Sequence, residues 1–119
     1  MDRDAPHIVD IVGSARLVRG YLEGVTRDDF MRNVQLQDSV IRRLESIGEA
    51  ASRVSASFRE RHAAIPWGRM IGMRNRMIHT YDAVDLDIVW TTAHERIPEL
   101  LALIEPLAPP TSDEPLESE

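Results

Sequence analysis

The chain contains no cysteine and no lysine. Without thiols it can form no disulfide and offers no thiolate nucleophile, a composition that fits a cytoplasmic protein. Without lysine, all 14 of its cations are arginines. Codon bias alone can produce such a skew. Arginine nevertheless presents a fixed fork that matches phosphate oxygens, so a few of them can build a local anion site. No apolar run approaches the ~18–20 residues needed to span a bilayer. The start, Met1-Asp2-Arg3-Asp4, is charged and no uninterrupted apolar segment follows it, so no secretory leader is expected. Metal-ligand spacing is missing too. His7, His62, His79 and His94 form no His-x3-His pair, and no Glu-x-x-His element occurs. Asp82, Asp85 and Asp87 lack the glycine and terminal glutamate of a calcium loop. No metal and no cofactor is expected.

What is present fits one domain. At 119 residues, with 43% hydrophobic content, the chain can bury one core. The expected domain covers residues 1–108, followed by a disordered acidic tail over 109–119. Net charge is −6. Asp113, Glu114, Glu117 and Glu119 lie in the tail, leaving the first 110 residues with 14 arginines against 16 acids. A whole-molecule field of this sign argues against non-specific nucleic-acid binding. Any anion site must be local.

Apolar periodicity predicts four helical segments. The first runs from about Pro6 to Leu22, with Ile8, Ile11, Val12, Ala15, Val18 and Leu22 on one side. The second opens at Thr26, beside Asp28 and Asp29, and carries Phe30, Val34, Ile41, Leu44, Ile47, Ala51 and Val54. Unbroken, it would run for roughly eight turns and seek a long partner. Ser55 to Ile65 reads as a polar connector with a turn near Phe58, and His62 as a solvated side chain within it. A third helix starts at Pro66 and Trp67, turns Trp67, Met70, Ile71 and Met77 or Ile78 inward, and frays from His79 to Ala83. Asp85 caps a fourth, in which Pro98 forces a kink or a fresh start. Trp67 and Trp90 belong to apolar stripes and read as core. No strand pattern and no repeat occurs. The expected fold is all-α, an up-and-down bundle of four to five helices.

Chemistry concentrates in Gly72-Met73-Arg74-Asn75-Arg76-Met77-Ile78-His79-Thr80-Tyr81-Asp82. On a helix, Asn75 and His79 lie one above the other, Arg76 flanks them, and Arg74 can swing back toward the imidazole. An imidazole that moves a proton near neutral pH, beside a guanidinium that stabilises phosphoryl charge, suits cleavage of RNA by its own 2′-hydroxyl. That reaction favours two proton-transfer groups, and a symmetric dimer would supply a second His79 and Arg74. The alternative is structural. Arg74 and Arg76 would pair with acids on neighbouring helices, His79 would cap a helix end, and Tyr81 would pack on the bundle. Glu45 and Glu49 either line the groove or pair with Arg42, Arg43 or Arg53.

The string Arg74-x4-His79-x-Tyr81 resembles the signature of HepT-like toxins, a branch of the HEPN ribonuclease superfamily. Arg43 to Ala50, Ile65 to Asn75 and Val84 to Trp90 resemble the flanking pattern, so the likeness extends from Asp10 to Leu103. The resemblance implies a homodimeric HEPN-like bundle and a toxin with metal-independent endoribonuclease activity at the dimer interface. Arg74 and His79 become the catalytic pair, with Asn75 and Arg76 in support and substrate binding. It also implies a minimal nucleotidyltransferase antitoxin that neutralises the toxin by adding AMP to Tyr81. Charge added there would stand where RNA phosphate must bind. A non-catalytic HEPN-like module that binds and assists such a partner is the rival expectation, supported by the net negative charge.

Overall fold

The first helix carries its apolar side chains at spacings of three and four, and that stripe decides its packing. In the computed structural model, which describes residues 3–77 and 84–109, α1 covers Ala5–Tyr21. All six stripe residues, from Ile8 to Leu22, are buried. Pro6 occupies the first turn, where its missing N–H leaves nothing unpaired. Asp4 supplies the backbone carbonyl that His7 and Ile8 donate to, while its carboxylate leaves the helix. It accepts from the backbone N–H and the hydroxyl of Ser55, each at 2.8 Å. Those bonds, the backbone N–H foremost, hold the Asp4 carboxyl below its ordinary pKa. Ser55 Oγ in turn caps Phe58 N, so one carboxylate ties two helix starts together. Beyond Tyr21 the chain turns at Gly24, whose φ of 73° favours glycine.

The long second helix divides into α2, Arg27–Met31, and α3, Val34–Ser52. Thr26 and Asp29 form a reciprocal capping box at the start of α2. Asn33 then caps α3 by accepting from Leu36 N, so a polar side chain interrupts the stripe. The break moves Val34 to the first position of α3, where it is 67% exposed instead of buried. Gln37 spans the break from within, its buried amide donating to the carbonyl of Phe30.

The connector after α3 also contains a helix, α4, Ala56–Arg61, capped by Ser55. His62 follows it and is half-buried, its ring 4.5 Å from Phe58. Apolar contact with that phenyl replaces the solvated surface expected for it. The third segment bends at Gly72 into α5, Trp67–Ile71, and α6, Met73–Met77. The bend buries Met73 and leaves Ile71 exposed, the reverse of a straight stripe.

Asp85 caps α7, Leu86–Thr91, accepting from Asp87 N and Ile88 N. A π turn over Thr92–Arg96 follows, then α8, Ile97–Ile104, and a 3₁₀ turn at Glu105–Leu107. Proline at 98 cannot donate to the preceding turn, and the wider π spacing absorbs the missing bond.

The assembled fold is all-α. α1 packs along α3 and α8, while α5 and α6 lie against α3. Phe30 meets Trp90 at 5.4 Å, and Phe58 meets Trp67 edge-on at 6.1 Å. Both tryptophans are core residues. Among the described residues, no helix is long and apolar enough to cross a membrane.

Candidate active site

Five residues make α6, and its two faces have different tasks. Met73 and Met77 are four apart and buried, which anchors one side of the helix. Arg74, Asn75 and Arg76 are left exposed. What sets the depth of this anchor is Gly48 on α3. A β-carbon there would stand 2.8 Å from the carbonyl oxygen of Met70. The absent side chain lets α5 lie directly against α3, and α6 follows it in.

One turn before Gly48 on the same face of α3 stands Glu45. Its Oε2 lies 3.7 Å from Nε of Arg74. Both groups remain open to water, with side-chain exposures of 70% for Arg74 and 41% for Glu45. Glu49, the other acid left open by the sequence, turns back to Arg53 on its own helix at 3.0 Å. The two glutamates therefore part company: Glu45 crosses to α6 and Glu49 stays local.

Arg76 points elsewhere. Its Nη2 donates to the carbonyl of Arg69 at 2.5 Å, bracing α6 across the bend at Gly72. With Arg69 and Arg96 it borders a cleft of about 550 Å³ between the α5–α6 unit and the α7–α8 rod, floored by Met70, Met73 and Leu100. The structure thus separates Arg74 from Arg76, which neighbouring positions in the sequence had suggested would act together. Asn75 is exposed, and its side chain makes no hydrogen bond among the described residues.

His79 and Tyr81 lie outside the described residues. The residues on either side are fixed, for the backbone N–H of Asp85 donates to the carbonyl of Met77 at 2.8 Å. Asp85 simultaneously caps α7, and Asp87 pairs with Arg27. These carboxylates have structural tasks, and among the described residues no cluster could hold a metal ion. His94 is exposed and stacks on Trp90 with ring centres 4.6 Å apart. Sequence reasoning left Glu45 open between lining the groove and pairing with Arg42, Arg43 or Arg53, and did not include the contact with Arg74. The spacing of three between Glu45 and Gly48 was the available signal.

The chain is a small all-helical bundle that presents exposed Arg74 near Glu45 of α3. The chain belongs to the ribonuclease HepT-like family, whose model matches residues 11–107. It is 36% identical over 101 residues to a probable ribonuclease HepT of Thermococcus cleftensis, covering 85% of this chain and 92% of that protein. A candidate RNase of Caldanaerobacter subterraneus subsp. tengcongensis is 34% identical over 100 residues, 84% of this chain and 89% of that one. A third relative, from Methanocaldococcus jannaschii, is named as a gamma-glutamylcyclotransferase and candidate RNase. It is 41% identical over 90 residues, which cover 76% of this chain and 40% of that longer protein. No solved structure matches the chain.

Proposed function

We propose that this protein is the toxin of a toxin–antitoxin pair, a metal-independent endoribonuclease in which Arg74 and His79 carry the chemistry. The observation that supports this most directly is Arg74 itself. It is held on a helix anchored by two buried methionines, yet its side chain is 70% exposed. A guanidinium in that position can take up a phosphodiester without leaving a buried ion pair unmade.

The reaction begins when a ribose 2′-oxygen attacks the adjacent phosphorus. A new P–O2′ bond forms as the P–O5′ bond breaks, leaving a 2′,3′-cyclic phosphate and a free 5′-hydroxyl. In a homodimer, one His79 accepts the 2′-hydroxyl proton and the partner's His79 protonates the departing O5′. Arg74 stabilises the negative charge that builds on the phosphoryl oxygens. Asn75, beside Arg74 on the same short helix, supports and orients the RNA, while Arg76 supports the site by bracing α6 across the bend at Gly72. Tyr81, two residues beyond His79, is the site of control. A nucleotidyltransferase antitoxin joins its phenolic oxygen to the α-phosphorus of ATP, with loss of pyrophosphate. The added phosphate then repels RNA from the groove.

The test is RNA cleavage by purified protein in excess EDTA, beside Arg74→Ala and His79→Ala. Cleavage that persists in EDTA and falls at least ~100-fold in both variants is expected, the scale of lost general acid–base and electrostatic catalysis. Metal dependence, or full activity in both variants, overturns the mechanism. Wild-type protein that cuts no RNA, yet binds its nucleotidyltransferase, would establish the module reading instead.

A further inference from the structure

We infer that Glu45 is a positioning residue for Arg74, a role that rests on the catalytic assignment of that arginine. The contact is a solvent-open ion pair, longer than a hydrogen bond. The carboxylate meets the guanidinium at its Nε edge, 3.7 Å away. Among the described residues no other partner of Arg74 is found, and the Nη1–Nη2 end of the fork faces no acceptor among them. A guanidinium has two edges that can receive an oxyanion, and a carboxylate on the Nε side leaves the terminal edge for a phosphate.

The contact also has a built support. Glu45 and Gly48 are three apart on α3 and share a face, while Met70 and Arg74 are four apart across the bend at Gly72. The backbone approach at Gly48 and Met70 and the charge contact of Glu45 with Arg74 are therefore successive rungs between the same two segments. The lower rung fixes the distance between the helices. The upper rung uses that distance to orient one long side chain.

An exposed ion pair of this kind contributes little to stability. Its effect is on where the fork points. Arginine has several rotatable bonds, and an unheld guanidinium would spend much of its time away from the phosphate. Holding Nε restricts that freedom before RNA arrives, the kind of preorganisation that raises the chemical rate more than it alters binding.

The experiment pairs kinetics with a signal that needs no activity. Glu45→Ala, Glu45→Gln and the control Glu49→Ala are compared with wild type on an unstructured RNA oligonucleotide of mixed sequence. Glu45→Ala is expected to lower kcat about 10-fold, with KM within about twofold and an unchanged melting temperature; that rate loss corresponds to about 1.4 kcal/mol. Glu45→Gln, which keeps an acceptor oxygen, recovers part of the rate. Glu49→Ala leaves it unchanged. In an Arg74→Lys background, which lacks Nε, removing Glu45 produces no further loss. In parallel, the Nε–Hε resonance of Arg74, assigned by its disappearance in Arg74→Lys, shifts and broadens in Glu45→Ala.

A Glu45→Ala protein as fast as wild type, or faster, overturns the inference, because the carboxylate would then be idle or competing with phosphate. An Arg74 resonance indifferent to Glu45 overturns it as well, whether or not RNA is cut. Full activity of Arg74→Ala would instead remove the catalytic reading, and the two failures are distinct.

Discussion

The carbonyl oxygen of Met70 occupies the space that a side chain on Gly48 would fill, 2.8 Å from where its β-carbon would stand. Two helices meet there backbone to backbone, and the arginine of the candidate site is carried in by that contact.

Gly48→Ala should therefore destabilise the protein although alanine is the better helix former. The propensity gain is up to ~1 kcal/mol, while overpacking against a backbone atom costs about 1–3 kcal/mol. Gly13, exposed in the middle of α1 with nothing within 4 Å of its notional β-carbon, is the matched control. Gly13→Ala should stabilise by about 0.5–1 kcal/mol. Urea unfolding of both variants checks the pair. RNA cleavage should fall only in Gly48→Ala, because only that change displaces α6.

Asp4→Ala should cost about 1–2 kcal/mol at neutral pH, since it strips two acceptors from Ser55 at a partly buried junction. The pH dependence has a definite sign. The folded-state pKa of Asp4 is lowered by the Ser55 N–H, so its contribution is complete above the unfolded value of about 3.9. It disappears as pH falls through the lowered folded value. Wild type and Asp4→Ala should differ in melting temperature at pH 7 and converge in strong acid. A gap that stays constant with pH would show that the carboxylate charge plays no part.

Phe30→Ala should cost about 3–5 kcal/mol. Phe30 is fully buried and packs on Trp90, joining the short α2 to α7. Against a typical total of about 5–15 kcal/mol, this one change approaches the limit of what the fold can lose. Guanidinium titration followed by tryptophan fluorescence measures it directly.

Asp85→Ala should lose about 1 kcal/mol by uncapping α7, whereas Asp85→Asn should be close to neutral because asparagine caps equally well. Cleavage of RNA should decline in the alanine variant and persist in the asparagine one. Asp85 is also the residue whose N–H closes on Met77, beside the segment carrying His79 and Tyr81. Equal activities in the two variants would separate the cap from the function.

The helix content and its inward faces were legible because periodicity is a local property. The stripe from Ile8 to Leu22, the cap at Asp85 and the two core tryptophans could each be read from neighbours three or four residues away. The misreadings of Val34 and Ile71 share one cause. Asn33 and Gly72 interrupt apolar patterns that look continuous, since a cap or a bend depends on one side chain or one missing side chain. Val34 and Ile71 were thereby assigned to the core and are exposed.

The sequence alone determined an all-α chain of the HepT-like family with its arginine, histidine and tyrosine on one short stretch. Spacing along a helix and residue chemistry suffice for that, because both are written in consecutive positions. Only the tertiary structure decided that Arg74 reaches Glu45 while Arg76 braces Arg69, and that Glu49 keeps to its own helix. Those choices depend on how closely α3 and α5 approach, and that distance is set by contacts between residues more than twenty positions apart.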